Sequence, residues 1–250
     1  MLRKSRPLHP VQRVLSLLVP IRVLRYTGGA KGIAALDREV RIIERLRQRG
    51  ARVPHVIARA DDWIALEDIG PTLEKELYRA PNRSDAFRLC FVASWGLLRL
   101  HRRQGWHGNP QARNITLDGE RVGFIDFEED VGARLGEKAS QTRDWGLFLS
   151  SLNRTETRFP GLTASLVRSL ASELPAHCRR FLFNFRLLCA PLAVLLLPFK
   201  RLLGRDVRQV LTLWEASGEI DPQVRRRFTR IIRIGAALAA LLYIYVQQTD

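Results

Sequence analysis

Residues 106–130 read WHGNPQARNITLDGERVGFIDFEED, and this stretch decides the fold. A turn pair, Asp118-Gly119, separates two short apolar runs, which is the pattern of a two-stranded β-hairpin. The predicted strands are Ile115–Leu117 and Val122–Ile125. Asn114 precedes the first strand and Asp126 follows the second, so we expect both at the open end of the hairpin. Their amide and carboxylate oxygens are ligands that Mg²⁺ prefers, with its other positions left for water and phosphate.

The same stretch resembles the catalytic loop and metal-binding turn of the protein-kinase-like superfamily, whose pattern is H-R-D-x-x-x-x-N followed by D-F-G. Its His-Gly opening and Ile-Asp-Phe-Glu turn are more similar to the atypical bacterial branch, meaning the lipopolysaccharide core and Kdo sugar kinases and the small Bud-type kinases. The resemblance implies that His107 packs the loop, that Asn114 is a metal ligand and that Asp126 is the main metal ligand. It covers roughly residues 20–155.

One position departs from the family pattern. Asn109 stands where the family carries its catalytic Asp, and a neutral amide cannot accept the proton of a hydroxyl. Because phosphoryl transfer depends mostly on positioning and charge neutralisation, loss of the base is expected to slow turnover rather than abolish it. The acidic run 128–130 offers a substitute base or a second metal ligand, and Glu128 is our candidate for the base.

Upstream, apolar residues at helical spacing and a closing Gly50 predict an amphipathic helix over residues 35–49. By the resemblance, Glu39 on this helix pairs with a phosphate-binding Lys; a solvated helix Glu is the alternative. The family's Lys belongs to the preceding strand, here residues 20–26, which contain arginines but no Lys. The candidate phosphate contact is Lys31, in the glycine-rich turn that follows, or an arginine of the strand, Arg22 or Arg25; the turn lacks P-loop spacing.

Two short apolar strands, 53–58 and 63–66, come next and lead into an acidic turn. The resemblance places the family's adenine-binding hinge here, and it assigns Glu67 and Asp68 to nucleotide binding. From the residues alone this is an ordinary strand exit. Ser84 is the predicted cap of a long helix that ends near Gly105.

A further helix is predicted to begin at Arg143. Within it Asp144 resembles the buried Asp that braces the catalytic loop in this superfamily. The alternative is a helix N-terminal Asp that the helix dipole favours.

The chain of 250 residues is 46% hydrophobic, which is enough for a proper core. By the resemblance, the fold class is α+β: a bilobal protein-kinase-like fold with an abbreviated N-terminal β lobe and a mainly helical C-terminal lobe. The expected divisions are 1–69, 70–155 and a helical, apolar and basic extension at 156–250. Three cysteines without C-x-x-C spacing predict buried free thiols, and the five histidines form no ligand cluster.

The net charge is +16 and the sequence pI is about 11.1, which favours phosphate-bearing partners, either anionic lipid or nucleic acid. The basic residues coincide with apolar stretches rather than with interleaved aromatics, so membrane is favoured over nucleic acid. The cationic N-terminus has charged and proline breaks and no A-x-A site, which argues against export. The apolar stretches 181–199 and 234–246 leave three readings: membrane-spanning, interfacial, or buried in the helical lobe.

Together these features predict a cytoplasmic protein, peripheral on the inner membrane, that binds ATP and Mg²⁺. By analogy with the sugar kinases, the acceptor is a hydroxyl of a membrane glycolipid such as a lipopolysaccharide core sugar. The first alternative is a pseudokinase that binds nucleotide or acts as a scaffold, favoured by Asn109 and by the missing strand Lys. The second is a Bud-type kinase that serves a tRNA-modification complex.

Overall fold

A computed structural model describes residues 33–127, 131–200 and 202–220. Lys31, the predicted strand 20–26, Glu128 and the apolar run 234–246 lie outside these residues. The described chain is α+β and contains helices and two small antiparallel sheets of two strands each.

The elements run in the order helix, hairpin, two helices, hairpin and then helices to the end of the described chain. The N-terminal half contains α1 (Ile33–Gln48), β1 (Val56–Arg59), β2 (Ile64–Leu66), α2 (Leu73–Arg79), α3 (Arg83–Arg102), a 3₁₀ turn (Ala112–Asn114), β3 (Ile115–Asp118) and β4 (Arg121–Phe124). The rest contains α4 (Gly132–Leu135), α5 (Glu137–Ser151), α6 (Asn153–Arg158), α7 (Leu162–Leu170), α8 (Ala176–Leu196), a 3₁₀ turn (Leu197–Phe199) and α9 (Arg205–Ser217).

The first helix follows the predicted pattern. Its apolar face buries Ile42, Ile43 and Leu46 in the core, and the chain leaves the helix at Gly50 with a φ of 71°, which glycine adopts without strain. The helix predicted over residues 35–49 is therefore confirmed within two residues.

The hairpin of β3 and β4 is also present, but its turn is displaced by one residue from the prediction. Asp118 pairs with Arg121, so the turn residues are Gly119 and Glu120 rather than Asp118 and Gly119. Gly119 takes a φ of 58° at the first turn position, where a positive φ favours glycine. Asp118 is therefore the last residue of its strand.

The chain on either side of the β1–β2 hairpin lies against the β3–β4 hairpin. The Phe124 N–H donates to the Arg52 carbonyl (3.0 Å), and the Leu117 N–H donates to the Pro71 carbonyl (2.9 Å). Residue 123 must be small here, because a Cβ at Gly123 would lie 2.5 Å from a side-chain oxygen of β3. The second hairpin is therefore held at both edges by the chain that enters and leaves the first.

The long helix α3 packs against β4 and α7, and its cap differs from the prediction. The Asn82 side chain accepts a hydrogen bond from the Asp85 N–H at 2.9 Å, so Asn82 rather than Ser84 is the N-cap. Both residue types cap helices well, and the helix simply begins two residues earlier. Similarly, α5 begins at Glu137, so the predicted start at Arg143 is wrong and Asp144 lies in mid-helix.

Helices α5, α8 and α9 pack on one another, and α9 also contacts α7. Buried apolar side chains from Ile42 to Ala216 form one hydrophobic core. The three cysteines, Cys90, Cys178 and Cys189, are free and buried, as predicted. Within the described residues, one helical stretch, Ala176–Phe199, is long and apolar enough to cross a membrane, and 33% of its most apolar window is buried in the protein.

Candidate functional site

The loop between α3 and β3 is anchored on one buried carboxylate. Asp144 is 0% exposed and accepts hydrogen bonds from the backbone N–H groups of His107 (2.8 Å) and Gly108 (2.7 Å). Its Oδ2 also lies 3.0 Å from Nε2 of His101, which is buried near the end of α3. Arg143, the preceding residue, donates from Nε to the Gly108 carbonyl at 3.0 Å. One turn of α5 therefore fixes both a donor and an acceptor of the loop backbone.

His107 connects this loop to the far end of the hairpin. Its Nε2 lies 3.0 Å from the Ile125 carbonyl, and its Nδ1 accepts from the Asn109 N–H at 3.3 Å. Burial lowers the pKa of His107, an effect that the negative charges of Asp144 and Asp126 partly oppose. A neutral imidazole protonated on Nε2 satisfies both contacts. The ring also packs against Phe127, with centroids 4.7 Å apart, so it fills the space between loop and hairpin.

A compact turn places Asn114 at the foot of β3. The Asn114 Nδ2 donates to the Asn109 carbonyl at 3.0 Å, and the Asn114 N–H donates to the Gln111 carbonyl at 2.7 Å. The side chain is 2% exposed, and the hydrogen bond from Nδ2 fixes the orientation of the amide. Because Nδ2 of this amide is engaged as a donor, its Oδ1 is a candidate ligand for a cation.

Asp126 lies at the foot of β4, beside Asn114 in the hairpin. The Ile125 N–H donates to the Asn114 carbonyl at 3.0 Å, which continues the pairing of the strands to the residue before Asp126. Asp126 is half-buried and has a φ of 68°, a left-handed conformation that non-glycine residues seldom adopt. Such conformations persist where the surroundings impose them, and they are concentrated at functional sites.

Asn114 and Asp126 fit Mg²⁺ in chemistry, since they supply an amide oxygen and a carboxylate. These two side chains alone do not complete the coordination shell of Mg²⁺. Among the described residues there is no group of three or more His, Cys, Asp or Glu side chains placed to hold a metal ion. Water and nucleotide phosphates would have to provide the remaining ligands, as is usual for Mg²⁺.

The predicted nucleotide-binding residues Glu67 and Asp68 accept hydrogen bonds from nearby backbone rather than from this loop. The Glu67 carboxylate accepts from the His55 N–H (3.2 Å), and Asp68 accepts from the Gly70 N–H (2.9 Å), so both side chains satisfy local backbone. Both are exposed. Glu39 is half-buried in the middle of α1, and Lys31, its predicted partner, lies outside the described residues.

Sequence reasoning missed three contributors to this loop. These are His101 and Arg143, described above, and Ser151, whose hydroxyl accepts from the Ala112 N–H at 3.0 Å. The sequence hints at two of them only by their places in the chain: His101 shortly precedes the loop, and Arg143 is next to Asp144. Their contacts join residues 35 to 43 positions apart, which no local pattern displays.

Comparison with known proteins gives a relative but no activity. No family model matches the chain. A protein of Haemophilus influenzae described as uncharacterized is 28% identical over 186 residues, which are 71% of this chain and 73% of the relative. The likeness therefore extends over most of both proteins, and the functional conclusion depends on the site itself.

Proposed function

We propose that this protein is an atypical kinase-like phosphotransferase that binds ATP with Mg²⁺ and phosphorylates a hydroxyl of a membrane glycolipid. The bilobal protein-kinase-like fold, the cytoplasmic location at the inner membrane and the lipopolysaccharide core sugar as acceptor are parts of the same proposal. The observation that carries it is the joint geometry of one loop and one hairpin: a loop backbone fixed by Asp144, with Asn114 and Asp126 at adjoining feet of the β3–β4 hairpin.

Each of these residues has a distinct task in the proposed reaction. Asp144 and Arg143 hold the backbone of residues 107 and 108, so that the following side chains keep one position through the reaction. His107, held neutral by burial, keeps the loop against the hairpin. Asn114 and Asp126 would hold Mg²⁺, which when bound neutralises charge on the transferred phosphate.

The state of Asn109, which stands at the position of the family's catalytic Asp, specifically supports the pseudokinase alternative. Asn109 Oδ1 accepts a hydrogen bond from Gln111 Nε2 at 3.0 Å, so this amide is engaged within its own turn. An amide in this state orients a hydroxyl poorly and takes no proton from it. A binding module without turnover would keep everything else in the site.

The test is Mg²⁺-dependent ATP binding, measured by calorimetry on the full chain, together with phosphate release. Asp126→Gly is the most informative variant, because glycine accepts a φ of 68° and removes only the carboxylate. We expect its stability to stay within about 1 kcal/mol of the parent while Mg²⁺-dependent binding is lost. Asp118→Gly, which removes an exposed Asp at the opposite end of the same hairpin, is the matched control and should bind normally.

Turnover separates the two candidate functions. If the parent binds Mg²⁺ and ATP and releases phosphate, the kinase reading stands, and Asn109→Asp should raise the rate by restoring an acceptor for the proton. Binding without turnover in both the parent and Asn109→Asp would favour the pseudokinase. Binding that survives in Asp126→Gly would refute the metal site that both readings share.

A further inference from the structure

One side of α8 and of the turn that follows it is an exposed apolar stripe. Its members, with their exposed fractions, are Leu187 (39%), Leu188 (62%), Val194 (36%), Leu195 (67%), Phe199 (55%) and Leu202 (85%). Leu188 and Leu195 are seven residues apart, which places them on one face of the helix two turns apart. We call these six residues the α8 stripe. Exposed apolar surface that is continuous over several turns is unusual for a protein that meets only water.

The opposite side of α8 is built into the protein core. Its buried residues are Cys178, Leu182, Phe185, Arg186, Cys189, Ala190 and Ala193. Arg186 Nη1 donates to the Trp214 carbonyl (3.0 Å), and Trp214 Nε1 donates back to the Arg186 carbonyl (3.0 Å). Helix α8 is therefore joined to α9 through its only mid-helix charge. If α8 crossed a bilayer by itself, Arg186 would lie in the hydrocarbon layer without these hydrogen-bond partners, which is energetically costly.

The sequence around the stripe carries charge of one sign, and in the structure Lys200 pairs with Glu215 of α9. Residues 176–205 contain no Asp or Glu and six basic residues, Arg179, Arg180, Arg186, Lys200, Arg201 and Arg205. Arg179 and Arg180 therefore precede the stripe and other basic residues occur among and after its last members, while Arg186 is buried on the opposite side and 187–196 is uncharged. Cationic flanks beside an apolar face are typical of helices that lie in the headgroup region of anionic membranes.

We propose that the α8 stripe is a docking surface for an anionic lipid bilayer, with α8 lying in the plane of the headgroups instead of crossing the membrane. The inference deepens the proposed function and rests on it for the membrane-borne acceptor. Helix α8 packs directly on α5, the helix that carries Arg143 and Asp144. Docking through the stripe would therefore fix the position of the loop relative to the bilayer that carries the acceptor.

The test is sedimentation of the full chain with vesicles of phosphatidylcholine alone or of equal parts of phosphatidylcholine and phosphatidylglycerol. We expect binding to the anionic vesicles, weaker binding to the neutral ones, and partial release by high salt, because the apolar contact is not screened. The affinity of the double variant Leu188→Glu/Leu195→Glu for these vesicles should fall by roughly thirtyfold or more, because two largely exposed leucines no longer enter lipid.

A matched control keeps the added charge and changes its place. Ile57 and Tyr78 are exposed apolar residues on β1 and α2, with exposed fractions of 70% and 85%. The double variant Ile57→Glu/Tyr78→Glu carries the same extra charge and should bind the vesicles as the parent does. Equal loss in both double variants would show that net charge alone acts, and it would overturn the docking surface.

Labelling of an introduced cysteine distinguishes a lipid bilayer from other groups that could cover the stripe. Burial raises the pKa of Cys178 to about 12 and that of Cys189 to about 11, and it also raises the pKa of Cys90, so the native thiols react little at neutral pH. In a Leu195→Cys variant the new thiol should react with a maleimide in solution and be protected on anionic vesicles. Protection without vesicles would mean that residues 221–250 or a second copy cover the stripe, and light scattering distinguishes the two; either outcome overturns the proposal.

Failure of this inference is distinguishable from failure of the proposed function. Nucleotide binding is measured on the same preparations without lipid. A chain that binds Mg²⁺ and ATP but no vesicles refutes only the docking surface. A chain that binds vesicles through the stripe but no nucleotide refutes only the kinase-like site.

Discussion

Replacing Asp144 with alanine removes the acceptor of three buried hydrogen bonds at once. Two come from backbone N–H groups at 2.8 and 2.7 Å, and the third joins the carboxylate to His101 at 3.0 Å. A hydrogen bond to a charged group contributes about 1.5–3 kcal/mol, but the three are not additive, since the loop can relax toward water. Loss of one partner from a buried charged network typically costs about 3–5 kcal/mol, so we expect a loss of about 4 kcal/mol in the free energy of unfolding.

Urea unfolding followed by tryptophan fluorescence measures this loss, because Trp145 adjoins Asp144 and is buried. The control is Asp118→Ala, which removes a carboxylate that is 56% exposed and paired with Arg52 at 3.2 Å. A pair so exposed should contribute less than about 1 kcal/mol. If Asp144→Ala unfolds within about 1 kcal/mol of the parent at an unchanged slope, the carboxylate does not anchor the loop and our account of the site is wrong.

Two further predictions concern pH and packing. Because burial lowers the pKa of His107, the unfolded chain takes up a proton below the ordinary value of 6.5 that the folded chain refuses. The free energy of unfolding should therefore be highest above that pH and fall as the pH drops below it, and urea titrations of the parent and His107→Phe should show a shallower fall in the variant. His177, whose pKa burial also lowers, contributes in the same direction, so an unchanged slope in a His107→Phe/His177→Asn double variant would contradict the assignment. Gly123→Ala should lose about 1–3 kcal/mol by overpacking, because the added Cβ would lie 2.5 Å from a side-chain oxygen of β3, and a thermal unfolding midpoint equal to that of the parent would show that the hairpin can give way.

The extent to which sequence predicts this molecule follows from the range of each interaction. Helix α1 and the β3–β4 hairpin were predictable because their spacing and turn residues are local. The strands predicted at 53–58 and 63–66 are present, but the first begins three residues later, at Val56. The one-residue error at Gly119 and the misplaced cap at Ser84 arose where neighbouring residues are almost equally suited to the same position. Local preference does not choose between Asp118 and Gly119 as the first turn residue, and the pairing of the strands does.

The site was predictable only in part. Residue types and spacing indicated Asn114 and Asp126 as neighbours, and the backbone pairing at the hairpin's open end agrees. The local sequence pattern indicated that Asp144 is an Asp at a helix N-terminus. Only the family resemblance suggested that it braces the loop. The left-handed backbone of Asp126 and the contacts of His101 depend on how distant segments pack, so no sequence pattern contains them.

The attachment of the β3–β4 hairpin to the chain around β1 and β2 has a mechanical consequence. Residues 52 and 71 accept hydrogen bonds from the two strands that lead to Asn114 and Asp126. Movement of the first hairpin would therefore be coupled to the second through these two hydrogen bonds.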